Sequence, residues 1–428
     1  MNKFEQLIDK LNHPDLTTRL DSLKALKVAI DAGELPSPQK GSDVNSHIHT
    51  FYSFSPYSPT KAVWMAYNAG LATAGIMDHD SIAGAREFTE AGKIIGLPTT
   101  IGVECRVDFS KTSLNGKKLN NPDQKSVVYM ALHGVPHTQI DTVTSFFRPF
   151  MLERNNRNKL MVSNLNKLFS PFNISIDFDA DVIPVSKWDD GGSITERHLL
   201  YALSKKLISS FGKGSDLVNF LMEKLNLNIS KKVESFLLDV NNPHYEYDLL
   251  GALKSELVSS FYVDAAAECP DVNEVIALAK KTGAIAAYAY LGDVGVSVTG
   301  DKKAEKFEDD FLDELVVLLK ELGYNSITYM PSRNTLEQVK RIKSLCDKYE
   351  FFQISGEDIN TPRQAFICPA MRDPEFANLS QAAWALIGHE LAATDALEDG
   401  MFSEKTQSKI PNLQDRILHF SNMLNYIR

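Results

Sequence analysis

The chain has 428 residues, 43% hydrophobic and 23% charged, with a net charge of −10 at pH 7. This composition fits an ordinary globular protein, long enough for one large α/β domain with additions or for two to three smaller domains. The acidic balance speaks against duplex nucleic acid or an anionic membrane as partner, because both select a basic surface. The 45 Lys and Arg residues still allow a local pocket for a small anion.

Residues 1 to about 35 carry Leu and Ile at helical spacing broken by charges. The spacing predicts an amphipathic helix pair, closed by Gly33 and a Pro36/Pro38 linker, and neither a signal peptide nor a membrane span. The pair is expected to cap one end of the main domain. Cys105, Cys269, Cys346 and Cys368 lie far apart and form no CxxC pair. Reduced thiols in a cytoplasm are therefore expected, not a disulfide framework or a zinc knuckle.

Strand and helix then alternate. A short apolar run ends in His47-Ile48-His49, and residues two apart on a strand leave the same face. A helix is predicted over 60–69, stopped by Gly70. A second strand, Thr73 to Met77, ends in Asp78-His79-Asp80; a helix over 83–93 follows. The third strand, Pro98 to Val103, ends at Glu104, and the fourth, Ser126 to Leu132, ends at His133.

Residues 139–260 lose this rhythm and read as an inserted helical lobe, with Ser193 and Glu196 at capping-box spacing. The alternation returns with a helix capped by Asp271 and Glu274, then an apolar strand ending near Tyr290. Helices over about 306–322 and 335–348 precede the strands SITYM and FFQIS, and the latter leads into Gly356-Glu357-Asp358. The chain divides into an N-terminal helical extension (1–38), a β/α barrel (39–138 and 261–371), the insertion (139–260) and a C-terminal helical segment (372–428). Seven strands, most separated by helices, favour a parallel barrel, whose chemistry sits where the strands' C-terminal ends converge.

Those ends carry His47, His49, His79, Glu104, His133, Tyr290 and Asp358. Singly, each has an ordinary structural explanation: a turn, a surface ion pair, a satisfied core histidine. Together, four imidazoles and two carboxylates on five strands suit a divalent zinc, manganese or iron ion, and a carboxylate can bridge two.

The order HIHT, AGIMDHDSIAGA, IGVEC, LHG and SGEDIN resembles the PHP (polymerase and histidinol phosphatase) family of metal-dependent phosphoesterases, over roughly residues 43–370. The helix with Arg154 and Arg157, followed by ITERHLLYAL, resembles the helical insert of that family's nucleotide phosphatases. The resemblance implies a distorted seven-stranded β/α barrel with a cluster of up to three metals at its mouth. The implied activity is hydrolysis of a small phosphorylated metabolite or nucleotide through a metal-bound hydroxide. His47, His49, Glu104 and Asp358 are then ligands of one metal, Glu104 bridges to a second held by His133, and His79 serves a third. Asp78 and Asp80 would orient His79 or a bound water. Arg106, Arg154, Arg157, Arg197, His198, Arg333 and Arg363 are the candidates to meet the phosphate, some from a lid formed by the insertion.

The chain also departs from that pattern. Phe54, Ser55 and Pro56 stand where the family often has His or Asp, Ala289-Tyr290-Leu291 where it has His-Pro, and Asp358-Ile359-Asn360 in place of Asp-x-His. One or two metal ions per chain are therefore expected. Two other readings stay open: an amidohydrolase-type metallohydrolase, which usually bridges its metals with a lysine where this chain has Glu104 and His133, and a degenerate barrel that binds without catalysis.

Overall fold

The computed structural model of the chain describes residues 2–294 and 305–423. Met1, residues 295–304 of the predicted barrel and residues 424–428 of the predicted C-terminal helical segment lie outside the described residues.

Seven strands form one sheet in chain order: β1 (Val44–Ile48), β2 (Thr73–His79), β3 (Thr99–Asp108), β4 (Val127–His133), β5 (Ile285–Ala289), β6 (Ser326–Thr328) and β7 (Phe352–Ile354). Just past β7, Ile359 bonds to β1 through His49 N–H to Ile359 O (3.0 Å) and Ile359 N–H to His47 O (3.3 Å). The sheet is thus curled into a half-barrel whose edges meet at one residue, where the sequence predicts a barrel.

Neighbouring strands are parallel except at β4, which runs antiparallel to both β3 and β5. The all-parallel expectation is corrected here. No helix separates β3 from β4, and a parallel pair needs a crossover, usually helical, that this connection lacks. Pairing with β4 also carries β3 on to Asp108, so Glu104 lies within a strand and not at its end.

Residues opposite one another on adjacent strands share a face. Gly102, Glu104 and Arg106 of β3 therefore lie with His133, Ala131 and Tyr129 of β4 on the concave side. The other face carries Ile76, Val103, Leu132 and Ile327, which pack with Phe88, Val275, Leu315 and Ile342 of the surrounding helices. Each such side chain, fully buried, contributes roughly 1.5–3 kcal/mol.

The N-terminal helices, Lys3–Lys10 and Leu16–Asp31, lie on the flank, not over an end. Leu23 and Leu26 join the same core as helices Pro59–Asn68 and Ala85–Ile95, and the buried Arg19–Glu87 ion pair (2.6 Å) secures the contact. Between β4 and β5, helices Ile140–Phe169, Glu196–Phe211, Lys231–Leu238 and Tyr245–Phe261 build a second core around Leu165, Leu203 and Leu249. The expected Asp271–Glu274 capping box is present. The one expected at Ser193 is shifted: Thr195 caps helix Glu196–Phe211 and His198 completes the box.

Helix Ala377–Asp395 fills the concave side from the end where the parallel strands begin. Its Ala382, Ala385 and Leu386 pack on Ile285, Phe352 and Ile354. Glu390 accepts bonds from Thr100 Oγ1 (2.6 Å) and Ile101 N–H (2.8 Å), and His389 Nδ1 accepts one from Met401 N–H (2.9 Å). These two residues are core packing. The opposite end of the curl is left for chemistry.

The same helix meets helix Leu413–Asn422 at Gly388, where an added Cβ would lie 2.1 Å from Phe420 O. Gly388→Ala is expected to destabilise the protein by roughly 1–3 kcal/mol, the usual range for overpacking. An unchanged denaturation midpoint would show that this close approach is dispensable.

Candidate metal centre

Two residues apart at the end of β1, His47 and His49 direct both imidazoles to the concave side, with their Nε2 atoms 3.2 Å apart. Glu104 of β3 reaches the same point: its Oε2 is 3.6 Å from His47 Nε2, 3.9 Å from His49 Nε2 and 3.0 Å from His79 Nδ1 at the end of β2. From beyond β7, Asp358 Oδ1 comes within 3.0 Å of His49 Nε2. His47, His49 and Glu104 each offer a ligand atom, all within 4.8 Å of one another.

These spacings fit a metal. Ligands at about 2.0–2.1 Å around a tetrahedral ion stand about 3.4 Å apart. Proton positions lead the same way. Ser53 Oγ gives its only hydrogen to Asp78 Oδ1 (2.6 Å) and also lies 3.3 Å from His49 Nδ1. A ring nitrogen that donates there leaves His49 Nε2 as a lone pair facing a carboxylate.

The electrostatics keep the site charged for a cation. Burial disfavours a charge on Glu104, but the His79 and His47 rings overcome it and hold the carboxyl far below its usual range. Burial likewise opposes Asp358, and His49, His47 and Arg197 overcome it. On His49 burial wins over Asp358, so the ring is pushed toward neutrality; on His47 burial loses to Glu104 and Asp358, so the pKa rises.

His133 sits differently from its expected place. Because β4 is antiparallel, its last residue pairs with Gly102, one step deeper than Glu104 on the same face. Burial lowers its pKa to about 3, and its Nε2 is a buried atom with no hydrogen-bond partner. Tyr290 offers nothing to the cluster: its hydroxyl donates to Asp309 (2.5 Å). Asn360 instead holds Asp358, Nδ2 to Oδ1 at 2.7 Å. Phe54 is buried in the insertion's core against His198 and Tyr201.

Asp78 turns away from His79, accepting from Thr50 N–H (2.7 Å), Thr50 Oγ1 (2.6 Å) and Ser53 Oγ. Asp80 takes a left-handed φ of 52°, which Asp tolerates, so that its N–H reaches Glu104 O (2.7 Å) while its carboxylate pairs with Arg154 (2.8 Å). Arg154, Arg157 and Arg106 all converge on Glu268, a residue the sequence does not single out. Arg154 and Arg157, expected as lid cations, and Arg106, expected beyond a strand end, are buried in a network that joins barrel to insertion. Arg363 is likewise committed, to Asp248 of the insertion (2.6 and 2.8 Å).

His198 accepts from Thr195 N–H at Nδ1 (3.0 Å), and burial lowers its pKa to about 3, so it serves a helix cap as a neutral ring. Arg197 and Arg333 are different. Both are half-buried and within electrostatic reach of Asp358, Arg333 more strongly of Glu308, and among the described residues neither has a carboxylate within 4.0 Å.

No protein-family model and no curated protein matches the sequence. Among solved structures, the chain is similar to a Bifidobacterium adolescentis protein assigned as a metal-dependent phosphoesterase, at 21% identity and a TM-score of 0.50, over 79% of this chain and 96% of that one. It is also similar to a Chromobacterium violaceum amidohydrolase solved with sulfate and no metal, at 16% identity and a TM-score of 0.51, with the same coverage. The likeness is one of fold. In that fold this chain places a His/His/Glu group able to hold a metal ion. No helix among the described residues is long and apolar enough to cross a membrane.

Glu104→Gln keeps the shape of the side chain and removes one charge. It is expected to weaken divalent-metal binding by more than the 10–100-fold typical of losing an outer partner. Elemental analysis after dialysis, on variant and parent alike, measures this. A variant that keeps the parent's metal content would remove Glu104 from the centre.

Proposed function

We infer that the protein is a metal-dependent hydrolase of small phosphomonoesters, a metabolite or a nucleotide, of the PHP kind. What carries this reading is a donor cluster bordered by surplus guanidinium. Three buried arginines share Glu268 and Asp80, while Arg197 and Arg333, within electrostatic reach of Asp358, have no carboxylate within 4.0 Å among the described residues. A site with that balance favours a dianion over a neutral ester or amide. Support also comes from one neighbour, assigned as a metal-dependent phosphoesterase, while the other is an amidohydrolase.

His47, His49, Glu104 and Asp358 would hold one divalent ion, zinc, manganese or iron, and Glu104 with His79 reaches toward a second. Such ions supply Lewis acidity and lower the pKa of water toward neutrality. The protein's own groups do the rest. Arg197, from the insertion, and Arg333, from the barrel, hold the non-bridging oxygens from two sides. Asn360 keeps Asp358 in place, and Asp80 orients Arg154. The insertion acts as a lid over the mouth, fixed by the Glu268 network and the Arg363–Asp248 clasp. Four buried, unbridged cysteines suit a cytoplasmic protein.

The test is a hydrolysis panel of phosphomonoesters, carboxylic esters and amides, run before and after chelation on protein of known metal content. Phosphomonoester turnover that chelation abolishes is expected; turnover confined to esters or amides would favour the amidohydrolase reading. Arg197→Ala and Arg333→Ala should each raise KM about 10-fold or more, the scale of one charged hydrogen bond, at unchanged metal content. An unaltered KM in both would take the phosphate away from these arginines.

A further inference from the structure

His49 is the ligand with the least freedom, and the residues that restrain it come from the turn after β1 and from β2. Its side chain is 1% exposed. Ser53, fully buried four residues on, stands between His49 Nδ1 (3.3 Å) and Asp78 Oδ1 (2.6 Å). Asp78 also takes the backbone N–H of Thr50 (2.7 Å) and its hydroxyl (2.6 Å), so three donors surround this carboxylate. It has no cationic partner within 4.0 Å among the described residues. The Ser53 hydroxyl donates to Asp78 Oδ1, which commits its only proton there. The serine oxygen is then free only to accept from His49.

We propose that Ser53 and Asp78 are positioning residues that hold His49 in the Nδ1–H tautomer, so that Nε2 presents its lone pair to the metal. The proposal rests on the metal-binding part of the function inferred above and not on the substrate. The relay is the serine-bridged form of a carboxylate–histidine pair, which fixes ring orientation and raises ligand basicity. It also gives Asp78 a task toward His49 and leaves His79 to Glu104. The Thr50 bonds lock the turn that follows β1, so the same carboxylate sets both the ring's proton and the backbone that carries it.

The experiment uses the full chain. Selectively 15N-labelled histidine in chelator-treated protein reports the tautomer of His49, its signal assigned by loss in His49→Ala. The parent is expected to show Nδ1–H alone, and Ser53→Ala a mixture or Nε2–H. Zinc titrated into the same preparations should bind about 10–100-fold more weakly to Ser53→Ala. Asp78→Asn should weaken it similarly, and the double variant no further, because the two act in series. Asp78→Asn also disturbs Thr50, so Ser53→Ala, checked for an unchanged circular dichroism spectrum, is the deciding variant. A parent already in the Nε2–H form, a Ser53→Ala protein that keeps Nδ1–H, or fully additive losses would overturn the proposal. Should the parent bind no zinc, the metal reading fails, and the tautomer measurement still decides the relay.

Discussion

Two acceptors cannot face each other at hydrogen-bond distance in a buried site unless a proton or a cation lies between them. His49 Nε2 and Asp358 Oδ1 do so at 3.0 Å, and His47 Nε2 stands 3.2 Å from the same lone pair. Ser53 blocks the easy remedy, a proton on Nε2, by drawing the ring's hydrogen to the far nitrogen. Burial blocks the other remedy, a doubly protonated ring, by disfavouring the charge. A divalent ion held there would answer both acceptors. Glu104 then matters as much for its charge as for its position, since two carboxylates balance one dication and two imidazoles balance none.

The scaffold serves this constraint. Curling the sheet until Ile359 meets β1 brings Asp358 to His49, and turning β4 around puts Ala131, not a bulky side chain, opposite Glu104. Helix Ala377–Asp395 stops the concave side at its other end, which confines polar chemistry to the mouth. The insertion is joined to the barrel by apolar contacts, Val143 and Phe147 in the barrel's core and Phe54 in the insertion's, and by buried ion pairs. Arg106 comes from the sheet, Arg154 and Arg157 from the first insertion helix, and Glu268 from the returning chain. Removing one partner of such a buried network typically destabilises by about 3–5 kcal/mol, because the rest are left uncompensated.

Most of the sheet was legible because each strand is an apolar run ended by polar residues, and because helices with clear caps and glycine stops separate most of them. The direction of β4 was legible too, in the lack of a helical pattern between Asp108 and Val127, but strand counting alone does not use that signal. The place of His133 followed the same error. A half-barrel cannot be told from a barrel by periodicity, since closure depends on one residue, Ile359. At the site, the HxH spacing and the DHD turn could be read because period-two geometry decides which way side chains point. Thr50 and Ser53, close behind HxH, were a readable hint of what Asp78 holds. Glu268 left no trace, since its meaning comes only from three arginines distant in sequence.

The arginines show why a charge seen in sequence is not yet a binding group. Seven cationic candidates were in view, and the structure sorts them by whether their hydrogen bonds are already spent. Arg106, Arg154, Arg157 and Arg363 face carboxylates of their own chain, and His198 is neutral. An incoming anion would have to displace those partners and leave Glu268 or Asp248 buried or stranded. Arg197 and Arg333 ask for no such exchange. One belongs to the insertion and the other to the barrel, and both lie within electrostatic reach of Asp358.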